Sequence, residues 1–146
     1  MIFVHKKTLN NLKKMTLIKK ITFTAGLLFL VIASHSQIPN DIIVGFETGN
    51  VRILSRYFNQ NVNLVVFDNN NVYSKAQTQQ IVGDFFNNYA PDPEKKFKII
   101  HESGKEGAKS VIGTIETKKG EVFRIYFLLK QSDGKEYIHQ LRFDKQ

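Results

Sequence analysis

Outside the first 36 residues the chain carries two histidines, His101 and His139. Histidine is the side chain whose ordinary titration falls near neutral pH, so these are natural candidates for proton transfer or metal binding. Each lies in a stretch that alternates apolar and polar residues, which predicts a strand. His139 is expected to share a strand face with Tyr137, Leu141 and Phe143. If the two imidazoles met across a sheet, they could act as a base or as metal ligands. No third ligand stands at a suggestive spacing beside them, so no metal is expected. Asp68 and Tyr73 are a second candidate pair, a carboxylate base with a phenol donor. Both lie in an asparagine-rich run, where Asp and Asn are ordinary turn formers, and a solvated turn is the expected setting. Arg124 and Tyr126 are the third pair. They alternate with Val122 and Leu128 on one strand face, while Phe123, Ile125, Phe127 and Leu129 make the other face wholly apolar. The apolar face is read as core. Arg124 then either meets an anion inside a pocket or lies on an outer face with its stem over apolar surface. No catalytic residue is assigned. The ligand-binding candidates are Arg124, Tyr126, His139 and Tyr73.

Other chemistry is excluded more simply. There is no cysteine, hence no disulfide, thiolate nucleophile or thiolate metal site. No phosphate-cradling glycine loop, serine elbow or metal-ligand cluster is present, and no cofactor is expected. The net charge of +8 suggests a polyanion partner at first sight. Six of the 21 basic residues lie before residue 37, however, and none of the 13 acidic ones does. The remainder has 21 − 6 = 15 basic and 13 acidic side chains, a net of +2. The lysines around the turns, from Lys95 to Lys119, interleave with Glu94, Glu102, Glu106 and Glu116, which reads as a solvated mixed-charge surface. Nucleic acid is not an expected partner.

The first 36 residues read as an export signal. Lys19 and Lys20 precede an apolar run from Ile21 to Ala33, and Ser34-His35-Ser36 places small residues at positions −3 and −1 of a cut before Gln37. The run is shorter than the roughly 20 residues a bilayer span needs. Met15 offers an alternative start with ordinary signal-peptide proportions. No cysteine follows the run, so no lipid anchor is expected. The domain over 37–146 is thus expected to be exported to the periplasm or the exterior, with no membrane association after cleavage.

The elements that must position the candidates follow from period and punctuation. Pro39-Asn40-Asp41 opens a short helix that Gly49 ends. Asn50 caps a second short helix with Val51, Leu54, Tyr57 and Phe58 on one face. Val62–Phe67 is the first strand, and Asp68–Asn71 is a turn. Ser74 caps the main helix, Lys75–Tyr89, whose apolar positions Ile81, Val82, Phe85, Phe86 and Tyr89 follow three-four spacing. Pro91 and Pro93 prevent its continuation. Four strands follow: Phe97–Ser103, Lys109–Thr117, Val122–Lys130 and Tyr137–Phe143. Asp133-Gly134 marks the tightest turn among them. Short connections favour antiparallel pairing. The expected class is α+β, with N-terminal helices and one long helix packed in a curved antiparallel sheet.

This order resembles the cone-shaped nuclear transport factor two-like superfamily, also described as cystatin-like, over nearly all of residues 38–144. Gly49-Asn50 followed by Leu54 and Tyr57-Phe58, the Tyr73-Ser74-Lys75 start of the main helix, and Phe85-Phe86 near its end carry the resemblance. The same features are similar to an uncharacterised secreted bacterial family within it. The resemblance implies a pocket at the cone's open end. The superfamily holds ketosteroid isomerase and scytalone dehydratase beside many non-catalytic binding and dimerising domains, and fold alone does not choose among them. The isomerase pattern does not match residue by residue. The expectation is a non-catalytic module that binds a small molecule or a protein, with the Arg124–Tyr126 face as its surface and a homodimer as one outcome. A small isomerase, dehydratase or hydrolase is the alternative.

Overall fold

Apolar residues recurring at helical spacing after a good cap form the longest helix among the described residues, and alternating stretches after it form most of the sheet. The computed structural model describes residues 37–105 and 107–146; the expected export signal lies outside the described residues. The elements are α1 (Asn40–Thr48), α2 (Val51–Leu54), a 3-10 turn (Ser55–Tyr57), β1 (Phe58–Val66), β2 (Asn69–Ser74), α3 (Lys75–Asn88), β3 (Lys98–Lys105), β4 (Ala108–Glu116), β5 (Val122–Ser132) and β6 (Lys135–Lys145). They belong to one compact unit, Ile38–Gln146. The expected α+β class holds: helices pack against a curved, unclosed sheet.

Punctuation acts as expected. Gly49 ends α1 with φ 65°, and its neighbour Asn50 caps α2 by accepting from the Ile53 amide at 3.2 Å. Ser74 and Gln77 close a reciprocal capping box at the start of α3: the Ser74 hydroxyl accepts from the Gln77 amide, and Gln77 Oε1 accepts from the Ser74 amide. Asp133 and Gly134, at φ 51° and 73°, form the primed turn between β5 and β6.

Two expectations need correction. Asn69–Asn71 is not a turn but the first half of an edge strand, β2, paired antiparallel with β1. Its asparagines are exposed, so pairing overrides their turn preference at little desolvation cost. The turn itself is Phe67-Asp68. Phe67 takes φ 55°, an outlier for a bulky residue. Its ring lies 5.8–6.3 Å from the rings of Tyr89, Phe123 and Phe85, which offsets the backbone cost. Secondly, β1 starts at Phe58 rather than Val62 and runs parallel to β6. The strand order is β2-β1-β6-β5-β4-β3, so the four-strand meander is extended by a parallel neighbour and the sheet is mixed.

One face of this sheet is the core. β5 contributes Phe123, Ile125, Phe127 and Leu129, all buried, as the alternation predicted. From α3, Phe85 and Phe86 are 3% and 5% exposed. Phe85 sits 4.3 Å from Phe143 and 5.1 Å from Phe123 between ring centroids. Each buried phenylalanine contributes about 1.5–3 kcal/mol of transfer free energy. α1 closes the other end: Phe46 stacks on Phe97 and Phe127 at 5.4 Å, and Glu47 accepts from the Phe97 amide at 3.1 Å. Gly113 lies beneath the Phe97 ring, where a Cβ would stand 2.2 Å from Phe97 Cζ. Only the absence of a side chain lets α1, β3 and β4 meet there.

Candidate functional site

With the helices on one face, the opposite face of the sheet carries no helix among the described residues, and its composition follows from register. Tyr126 on β5 pairs with Ile112 on β4 and Arg142 on β6, and the row continues to Val65 on β1 and His101 on β3. Beside it, Arg124 pairs with Thr114 and Asp144. Leu128 and Ser110 extend the face on the other side. Tyr126, Ile112, Val65 and Leu128 are half-buried and the arginines are exposed.

The charges on this face are ordered. Arg142 Nε donates to Asp144 Oδ2 at 2.6 Å. This hydrogen bond, then the Asp144 charge and more weakly that of Asp68, raises the Arg142 pKa further above its ordinary value. Arg124 donates from Nε and Nη2 to the Gln146 carboxamide oxygen, both at 3.2 Å, in the amide orientation that satisfies both groups. Two cations and one carboxylate thus frame a tyrosine on a partly apolar surface. Such an arrangement suits recognition of another polar-apolar surface; nothing in it aligns a base with a donor.

The sequence candidates separate. Arg124 and Tyr126 share the open face. Tyr73 lies on β2 opposite Val62, on the helix side of the sheet, where it packs against the core and its hydroxyl accepts from Asn71 Nδ2 at 3.5 Å. Asp68 is exposed in the hairpin turn. His101 and His139 do not meet: β4 and β5 stand between their strands, roughly 14 Å of sheet at the usual strand spacing. His139 also does not share a face with Leu141 and Phe143. The register between β5 and β6 shifts at Leu128/Leu129, so Ile138, Leu141 and Phe143 are the buried positions and His139 is the extra residue. It faces a second irregularity in β1, and Asn59 Nδ2 lies 3.4 Å from its Nδ1. Burial, and then the nearby Lys130 charge, lower its pKa below the ordinary 6.5. Arg142 and Asp144 were missed by sequence reading. Their alternation with Phe143 held the signal, but the partners that frame them come from β5.

Beneath the helices the rings of Phe46, Phe85, Phe97, Phe123, Phe127 and Phe143 are buried. A depression of about 430 Å³ opens at the α1–α2 junction, lined by Thr48, Gly49, Asn50, Val51 and Arg52. Among the described residues no cluster of His, Asp or Glu is placed to hold a metal ion, and no helix is long and apolar enough to cross a membrane.

Helices over one face of a curved, unclosed mixed sheet of six strands define an α+β protein of nuclear transport factor 2-like architecture. An NTF2-like protein of unknown function from Shewanella baltica shows the same fold, with a TM-score of 0.58 at 15% identity, over 73% of this chain and 86% of its own. More specifically, the chain belongs to the family described as "Domain of unknown function (DUF4783)", whose pattern spans residues 39–144. A family protein from Bacteroides ovatus superposes with a TM-score of 0.68 at 30% identity, over 75% of this chain and 96% of its own. One from Bacteroides fragilis does so with 0.69 at 29%, over 75% and 100%. No curated protein matches the chain.

Proposed function

We propose that this domain is a non-catalytic interaction module whose working surface is the open sheet face around Tyr126. The observation that carries the reading is the division of the sheet: one face buries a cluster of aromatic rings, and the other sets Arg124, Arg142 and Asp144 around Tyr126 with Val65, Ile112 and Leu128 half-buried alongside. A half-covered apolar face seeks a partner. A surface carrying both signs of charge can match itself about a two-fold axis, so a second copy of the chain is the partner it fits first. The family and the Shewanella baltica neighbour are described as of unknown function, and fold alone does not choose a chemistry, so the reading rests on the sheet face itself.

The module works outside the cytoplasm in this reading. The support is the lysine pair Lys19-Lys20, the apolar run after it and the small residues before Gln37.

Size-exclusion chromatography with light scattering tests the face. The protein is expected to run as a dimer, and Tyr126→Asp to reduce it to a monomer with an unchanged circular dichroism spectrum. A native protein that stays monomeric at the highest soluble concentration overturns the second-copy reading. A dimer indifferent to Tyr126→Asp and to Arg142→Glu moves the contact elsewhere.

A further inference from the structure

The sheet has a second exposed feature, at its edge. β3 is an edge strand, with β4 on one side and no strand on the other among the described residues. Every residue of β3 is exposed, whereas β4 alternates. Two consecutive large apolar side chains stand there, Ile99 at 42% and Ile100 at 54% exposure. An uncovered edge is a template for another strand, and proteins guard it with lysines and bulges. β3 has both. The register with β4 shifts between Ile99 and His101, and Lys98 and Lys105 mark the ends of the strand.

The bulge also sorts the side chains. Lys98, His101, Ser103 and Lys105 pair with Thr114, Ile112, Ser110 and Ala108, alternate residues of β4. These four β3 residues therefore share the open side of the sheet, with a cation at each end. Neighbouring lysines are already paired: Lys95 with Glu116, Lys96 with Glu47, Lys109 with Glu102. Lys98 and Lys105 have no carboxylate at ion-pair distance among the described residues.

Those two charges decide what the edge accepts. A second copy pairing antiparallel, in the register of full overlap, would set Lys98 of each copy opposite Lys105 of the other. Like charges directly opposite are destabilising. An extended segment with a carboxylate at each end meets both lysines favourably. Its main chain pairs with the open edge, and its apolar side chains cover Ile99 and Ile100. We propose that the β3 edge receives an extended acidic segment of another protein as an added strand, with carboxylates against Lys98 and Lys105.

The test follows backbone amide resonances of the isotope-labelled protein during titration with the peptide EVTVTVE and, separately, KVTVTVK, both capped at each end. EVTVTVE is expected to shift the amides of Lys98–Lys105, with affinity falling as salt rises. KVTVTVK is expected to bind at least about tenfold more weakly. The double substitution K98E/K105E reverses the order of the two peptides, and its spectrum reports that the fold is retained. Absence of EVTVTVE binding, equal binding of both peptides, shifts away from β3, or an order the double substitution leaves unchanged overturns the proposal. So does self-association through β3 that K98E strengthens, which would assign the edge to a second copy.

Discussion

His139 shows what a single inserted residue does. As the extra residue of a bulge it leaves the alternation of β6 and turns toward Asn59 instead of joining Leu141 and Phe143 in the core. A neutral imidazole can accept from Asn59 Nδ2 at Nδ1; an imidazolium cannot. Burial and Lys130 depress the folded pKa, so the unfolded chain takes up the proton first as pH falls. The stabilisation is therefore complete above the ordinary value of 6.5 and is lost as pH drops below it. Imidazole resonances are expected to titrate below that value. Thermal unfolding of His139→Gln, which keeps an acceptor for Asn59, should lose less stability than the native protein between about pH 7 and 5. An imidazole titrating at or above the ordinary value would sink the account. None of this was legible in the sequence, where strict alternation gave His139 the wrong neighbours. Arg124 and Tyr126 were legible, because the four-residue apolar set opposite them left no doubt about which face is core.

At the scale of elements, caps and turns were the most readable. Gly49, Asn50, Ser74 and Asp133-Gly134 each do locally what their chemistry prescribes. Ser74 satisfies its obligations within four residues, so its effect is separable from the core. Ser74→Ala is expected to cost about 1 kcal/mol in urea unfolding, and Ser74→Asp to recover most of it. A loss no larger than a few tenths of a kcal/mol would show that packing alone holds the first turn of α3. The element that escaped was β2. Its asparagines carry a turn preference, and only the six partners from Asn61 to Val66 turn them into a strand. Phe67, whose ring contacts hold a left-handed backbone, escaped for the same reason: its partners Phe85, Tyr89 and Phe123 come from α3 and β5.

At the scale of the whole molecule, the parallel pairing of β1 with β6 joins the two ends of the fold, and the two faces of the sheet acquire opposite fates. The segment before Gln37 would serve delivery rather than fold in this scheme. Cell fractionation followed by N-terminal sequencing is expected to recover an exported protein that begins at Gln37; an intact cytoplasmic chain would remove the extracytoplasmic part of the proposal. The residue sequence alone determined the helices, the four C-terminal strands and the apolar face of β5, because period, caps and turn chemistry act within a few residues. Only the tertiary structure decided strand neighbours, the bulges at Ile100 and His139, and the gathering of Arg142 and Asp144 around Tyr126. Those depend on pairings between segments distant in the chain, whose register a local pattern does not encode.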